Sequence, residues 1–350
     1  MSTFIIVDTS NLFYRMKHVT TGDAEMKAGM ALHLCFNSLR MIWKKFKADH
    51  VVFCCEGGSW RREIYPEYKA HRRVKDALKS KSEKEEDALF QDTLNMFIEF
   101  LENKTNVTVL KQSYVEGDDF VARWIDLHPE DKHIIFSSDS DFYQLLKDNV
   151  VIYDGIKGWL ISNKEILDEN DKPATKKTNI TETKVVRGVE KKIKKTVDIA
   201  VEAPDPEYEL FKKIIRGDSS DNILSAYPGV REKGSSKKPG IQEAYADRKG
   251  QGFIWNEFMQ STWVDHEGNE IRVLDAYKIN RQLIDLSCQP EEIKELMDAT
   301  IAETLEKPSK QGVGMSFLRF CDQMDLINIA KSPTEFATIL TAKYPKEQKL

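Results

Sequence analysis

Residues 133–141 read HIIFSSDSD, an apolar run that stops at two acids, Asp139 and Asp141. A run this short and β-branched suits a buried strand better than a helix. The same pattern recurs on either side. FIIVD at 4–8 ends on Asp8, and VVFCCE at 51–56 ends on Glu56. Val107–Leu110 and Val150–Tyr153 are further apolar runs of that length. Helical periodicity fills the gaps. Met30–Phe46 places Leu32, Cys35, Phe36, Leu39, Ile42, Trp43 and Phe46 at helical spacing, and Phe90, Leu94, Phe97 and Leu101 do the same. Val115–Leu127 predicts a third helix and Phe142–Leu146 a short one. Strands alternating with helices predict an α/β fold with a mostly parallel central sheet flanked by helices.

The 350 residues carry 52 Lys and Arg against 57 Asp and Glu, a net charge of −5. That length suggests two domains, and 41% hydrophobic residues provide for a sizeable core. No apolar run approaches the roughly 18 residues of a membrane span, so no membrane partner is expected. MSTFIIVDTS lacks the basic region of a signal peptide and reads as the first strand. The five cysteines form no CxxC pair, which fits a reducing, cytoplasmic location. The seven histidines show no HxH or HxxxH spacing, which argues against a His-built metal site.

Two segments break the alternation. Residues 57–86 are charged and poor in apolar positions, so an exposed loop or helical excursion is expected. Residues 172–197 carry nine Lys and Arg against two Glu. They read as an inserted hairpin or loop, with a disordered loop that does not touch DNA preferred. The Pro-rich break APDPE at 203–207 predicts a boundary between a domain over 1–206 and a mostly helical one over 207–350.

The placement of acids carries the chemistry. Asp8, Glu56, Asp139 and Asp141 follow strands, and ligands of open α/β sheets bind beyond the carboxyl ends of strands. Glu116, Asp118 and Asp119 open the third predicted helix, and Asp218 and Asp221 open the second domain. Singly, each is an ordinary turn or helix-cap acid. Together they are nine carboxylates with no Arg or Lys inside their motifs, a set that repels itself unless cations join it. Hard oxygen donors select Mg²⁺, with Mn²⁺ as a substitute, and two such ions suit attack by water on phosphorus. Residues 57–75 add cations, among them Arg62, Arg73 and Lys75, with Tyr65 and Tyr68 offering faces for bases.

In order, IIVDTSN, the strand ending at Glu56, WRREIYPEYKAHR, VEGDDF, SSDSDF and GDSSDNI resemble the 5′-nuclease (flap endonuclease) family, and most closely its phage-type RNase H subgroup. The resemblance covers roughly residues 1–330 and includes RQLIDLSCQPEEI. It implies a PIN-like nuclease core, a helical arch at about 57–86 and a C-terminal domain with a helix–three-turn–helix-like motif. It implies two Mg²⁺ ions, with Asp8, Glu56, Glu116 and Asp118 around the first. Asp119, Asp139, Asp141, Asp218 and Asp221 would surround the second. It further implies that Arg61, Lys69 and Arg72 contact the scissile and flanking phosphates, and that Tyr68 stacks on a base. The substrates implied are flapped, nicked or branched duplex DNA and RNA primers on DNA, cut during replication by a phage protein. A monomer is expected, with a single-stranded-DNA-binding protein docking on its C-terminal domain.

Three departures from the family stand out. Glu56 replaces the usual Asp. The compact Gly-rich turn after PGV is replaced by REKGSSKKPGIQEA, so Arg231, Lys233, Lys237 and Lys238 are expected to hold phosphates in place of a K⁺ site. The basic insertion at 172–197 is the third. The rival readings are a non-catalytic DNA-structure-binding protein, a PIN-type ribonuclease and a phosphotransferase with Asp8 as nucleophile. Setting the nine proposed ligands aside leaves 48 acids against 52 bases, so the net acidity does not argue against a nucleic-acid partner.

Overall fold

The structure, a computed structural model, describes residues 1–19, 22–186, 189–235 and 238–345. The five apolar runs form parallel strands: β1 (Thr3–Asp8), β2 (His50–Cys54), β3 (Thr108–Leu110), β4 (Lys132–Phe136) and β5 (Val150–Asp154). Two antiparallel strands, β6 (Trp159–Ile161) and β7 (Ile166–Leu167), extend the β5 edge. The seven strands run in the order β3-β2-β1-β4-β5-β6-β7. Chain order reverses at β1, which puts the topological switch point beside Asp8. Val7 is level with Phe53 and Phe136, and Asp8 with Cys54. The acids that follow β1, β2 and β4 therefore leave the sheet at one edge.

Both faces of the sheet are covered, which explains why its strands are almost wholly apolar. Ile5 and Val7 of β1 enter one core, and Phe4 and Ile6 enter the other. The alternation follows from the two-residue period of a strand. The first face packs against α1 (Thr9–Val19), α2 (Ala24–Phe46) and the long helix that follows two short ones, α3 (Arg61–Ile64) and α4 (Ala70–Leu78). That long helix, α5 (Lys81–Lys104), starts at a capping box between Ser80 and Glu83, which satisfies two otherwise orphaned amides. The opposite face packs against α6 (Gly117–Leu127).

The remaining helices are α7 (Pro206–Arg216), α8 (Ile241–Asp247), α9 (Phe253–Gln260), α10 (Val273–Ile284), α11 (Glu291–Glu306), α12 (Val313–Gln323), α13 (Ile327–Ala330) and α14 (Pro333–Thr341). They do not make a single packing unit over 207–350. Phe211, Ile215, Ile241, Phe258 and Val273 form a core of their own. Met297 and Ile301 of α11 join the α6 face, whereas Phe317, Phe320 and Phe336 join the α2 face. The aromatic pairing explains the attachment: Phe36 meets Phe317 edge-on at 5.3 Å, and Phe100 stacks on Phe320 at 4.2 Å.

The basic insertion is not a disordered loop. It forms two twelve-residue antiparallel strands, β8 (Thr175–Val186) and β9 (Val189–Ala200). A further small hairpin pairs β10 (Thr262–Val264) with β11 (Glu270–Arg272). Among the described residues, no helix is long and apolar enough to cross a membrane.

Candidate functional site

The end of β1 turns directly into α1, and this junction fixes Asp8. Its Oδ1 accepts from the Asn11 amide at 3.1 Å, and its Oδ2 accepts from Ser137 Oγ at 2.9 Å. Ser137 Oγ also accepts from the Asp139 amide at 3.1 Å, so one hydroxyl aligns the ends of β1 and β4. Beyond β2, the Cys55 amide donates to Leu110 at 2.9 Å and the Gly57 amide to Val115 at 3.0 Å. This holds Glu56 against the α6 entry. Gly57 is required there, because a Cβ would lie 1.8 Å from the Gln112 carbonyl oxygen.

Glu116, Asp118 and Asp119 approach within 4.8 Å of one another at the N-terminus of α6, where the helix dipole favours negative charge. Burial alone would push the Glu116 carboxyl up, but Lys69 and Arg61 outweigh it and hold it below the usual range. Its Oε2 accepts from Ser59 Oγ at 2.7 Å, from Arg61 Nη1 at 2.7 Å and from the Tyr68 hydroxyl at 3.1 Å. Lys69 Nζ donates to Oε1. Burial, reinforced by Asp119 and Glu116 and opposed by Arg61, raises Asp118. Glu56 opens onto the crevice, yet the protein packed around its carboxyl pushes it up to about 7. Lys69 opposes that shift, and Glu116 and Asp8 add to it.

Through Ser137, Asp8 is joined to a second carboxylate group. The Asp141 amide donates to Asp139 Oδ1 at 2.9 Å. Burial and then the Asp139 charge push the Asp141 carboxyl up to about 6, against the pull of Lys213. Lys213, on the last turn of α7, donates to Asp141 and lies 2.8 Å from Asp218. Asp218 also accepts from the Ser220 amide and hydroxyl, each at 2.7 Å. The loop it opens depends on Gly217 at φ +72°, where a Cβ would lie 2.4 Å from the Ile223 carbonyl oxygen. Asp221 faces the arch instead. It accepts from the Tyr68 hydroxyl at 2.9 Å and from Arg72 at 2.7 Å, with Lys69 at 3.7 Å.

The nine acids expected at the site therefore fall into two groups plus Asp221, and cations do reach them. Two of the residues expected to contact nucleic acid are instead built into the interior. Arg61 is 1% exposed, pairs with Glu116 and Asp119 and donates to the Leu283 carbonyl at 2.7 Å. It is occupied within the protein and does not face a phosphate. Tyr68 is also 1% exposed, with its ring in the core formed with Ile214, Ile223 and Leu283, so it offers no face to a base. Tyr65 is half-buried against the same core. Asp119 stands in the first group, with its oxygens engaged by Arg61, by Trp60 Nε1 at 3.0 Å and by Gln289 at 3.3 Å.

Arg62, Arg72, Arg73 and Lys75 are exposed. Arg72, Lys75, Lys79 and Lys84 line an open space of about 990 Å³ between α4 and α5, together with Asp76, Glu83, Glu86 and Asp87. A neighbouring crevice of about 350 Å³ is lined by Glu56, Lys69, Arg72 and Glu116. Arg231, Lys233 and Lys238 are exposed on the turn before α8, and Lys237 lies outside the described residues. Sequence reasoning missed Lys213, Ser59, Ser137 and Trp60. Lys213 had a signal, since a lysine in the last turn of a helix complements its dipole and lies one turn before the acids of GDSSD.

The donor set is all oxygen. Glu56, Asp118 and Asp141 are all raised, chiefly by burial and further by neighbouring carboxylates. A hard divalent cation fits such a site.

Known proteins similar to this chain share its family and its fold. The model of the family described as 5′-3′ exonuclease, N-terminal resolvase-like domain, matches residues 3–186. Flap endonuclease Xni of Psychromonas ingrahamii is 26% identical over 174 residues, covering 47% of this chain and 62% of that protein. The chain thus spans less than two thirds of that relative. Two crystal structures share the fold at 20% identity and a TM-score of 0.57, each over 87% of this chain and 98% of the other. One is a bacteriophage T5 protein co-crystallised with metal ions, and the other is a variant of bacteriophage T5 flap endonuclease with DNA and metal ions. With more than half of its length matched by the family model, the chain belongs to the 5′-3′ exonuclease family with an N-terminal resolvase-like domain.

Proposed function

We propose that this protein is a structure-specific 5′-nuclease that hydrolyses phosphodiesters at the 5′ ends and flaps of duplex DNA, RNA primers included, during replication. The observation that carries the reading is that two carboxylate groups are joined through Ser137, with Lys69 and Arg72 lining the crevice of the first. A binding protein has no use for carboxylates gathered beside a phosphate. In this reading Asp8, Glu56, Glu116 and Asp118 hold one Mg²⁺ and Asp139, Asp141 and Asp218 hold a second, with Mn²⁺ as a substitute. Bound Mg²⁺ supplies Lewis acidity toward the phosphate and lowers the pKa of water.

The protein's own groups do the rest. Lys69 and Arg72, at the crevice rim, neutralise charge on the phosphoryl oxygens as water attacks in line and the 3′ oxygen departs. The product keeps its 5′ phosphate. Arg62, Arg73 and Lys75 steer the 5′ strand into the space between α4 and α5. Arg231, Lys233 and Lys238 hold the duplex backbone. The protein acts as a cytoplasmic monomer, with a single-stranded-DNA-binding protein docking on the C-terminal helices.

A 5′-labelled flap substrate incubated with Mg²⁺ or with EDTA tests this. Short labelled products that appear only with Mg²⁺ are expected. Binding without cleavage would overturn the reading in favour of a non-catalytic DNA-binding protein.

A further inference from the structure

β8 and β9 pair without interruption from Thr175 opposite Ala200 to Val186 opposite Val189. At about 3.4 Å per residue, such a ribbon is about 40 Å long. Its base is tied to the body by the Val201 amide on Ala174 at 2.9 Å and by the Ala174 amide on Ile166 at 2.8 Å. Beyond that base, none of the four apolar cores takes a described residue from 175–181 or 195–200. A two-stranded sheet with both faces uncovered is marginally stable in water at best.

Its charge makes this worse. Residues 175–200 hold eight Lys and Arg against three Asp and Glu. The register divides lysines between the faces. Lys176 and Lys195 share one face with Ile180, Val197 and Ile199, and Lys177 lies on the other. Ile180 and Ile199 are 37% and 39% exposed.

A ribbon that is cationic on both faces needs anions on both sides. An acidic protein surface would neutralise only one. The major groove of duplex DNA admits a two-stranded ribbon, has a phosphate wall on either side and presents thymine methyls to apolar side chains. The position fits as well. The ribbon leads into α7, whose eleven residues span about 16 Å and end at Lys213 and the second carboxylate group. The ribbon is longer than the helix that joins it to that group.

We propose that the β8–β9 hairpin is a DNA-binding arm that lies in a groove of the substrate duplex, with its lysines on the phosphates of both strands. The proposal rests on the reading of the protein as a nuclease of duplex DNA.

The test uses the full chain and a blunt duplex of about 30 base pairs without a flap, more than twice the ribbon's length at 3.4 Å per base pair. Fluorescence anisotropy gives the affinity from roughly 50 to 200 mM KCl. Two variants are compared with the wild type. In one, residues 177–198 are replaced by Asn-Gly, a two-residue turn that closes Lys176 onto Ile199. In the other, which keeps the hairpin, Lys176, Lys177, Lys194 and Lys195 are all changed to Gln.

Both variants are expected to bind at least about tenfold more weakly at low salt, with the salt slope shallower by about 3. Unchanged affinity and slope in both would overturn the proposal. So would weakening by the truncation alone, which would leave the lysines without a role. Loss of binding to a poly-glutamate peptide with duplex affinity intact would also overturn it and assign the arm to an acidic protein. Failure of the nuclease reading shows separately, as the absence of Mg²⁺-dependent flap cleavage by the wild type.

Discussion

Arg61 grips Asp119 at two points: Nη1 lies 2.9 Å from Oδ2 and Nη2 lies 2.9 Å from Oδ1. Both side chains are sealed from water, and the same guanidinium also reaches Glu116. Removing one partner of a buried pair strands the other charge, at a cost of about 3–5 kcal/mol. Arg61→Ala is expected to lose that much stability in urea denaturation. A loss below about 1 kcal/mol would mean that the pair is not buried in solution.

The second carboxylate group offers a cleaner separation of cutting from binding. Asp139→Asn with Asp141→Asn removes two negative charges from it and leaves the arch cations in place. Cleavage of a labelled flap is expected to drop to the EDTA background, with duplex affinity retained or improved. Wild-type cleavage by the double variant would refute the two-ion reading.

Arg72 sits at the rim, half-exposed and paired with Asp221. Arg72→Ala is expected to lower the single-turnover rate about 10²-fold, the usual cost of losing one transition-state donor. Duplex affinity should fall far less. Equal losses in rate and affinity would make Arg72 a simple phosphate contact.

The sheet end away from the crevice predicts acid sensitivity. His50 is buried, with Nδ1 donating to the Ala342 carbonyl at 3.1 Å and Nε2 accepting from the Thr108 hydroxyl at 2.8 Å. Burial brings its pKa down to about 4, and His133 is lowered to about 4 for the same reason. Between pH 6.5 and 4 the unfolded chain then binds more protons than the folded one, so stability falls as the pH falls. At pH 5 the shift at His50 amounts to about 2 kcal/mol against an unfolded value of about 6.5. Urea midpoints at pH 7 and pH 5 check this. His50→Gln should shrink the difference between them, and an unchanged difference would count against a neutral, buried His50.

The sheet and its acidic edge were legible because both are local signals. An apolar run and the acid that ends it lie within nine residues in HIIFSSDSD, and the register that brings Asp8, Glu56 and Asp139 together follows from parallel pairing. Arg61 and Tyr68 were not legible. Between charged neighbours they read as exposed, yet Arg61 is decided by Asp119 and by Leu283, 222 positions away. The hairpin stood second to a disordered loop for a related reason. Its apolar positions are diluted by lysine, so a composition that reads as disorder conceals the two-residue period that the pairing makes plain.

Asp218 and Asp221 are three positions apart on one tight turn, but they answer to different parts of the molecule. Asp218 is bound to Lys213, and through it to Asp141, whereas Asp221 is bound to Tyr68 and Arg72 at the foot of the arch. The turn itself is clamped by paired hydrogen bonds between Asp218 and Ile223. One clamped frame thus ties the foot of the arch to the far carboxylates, with no flexible linker between the two contacts.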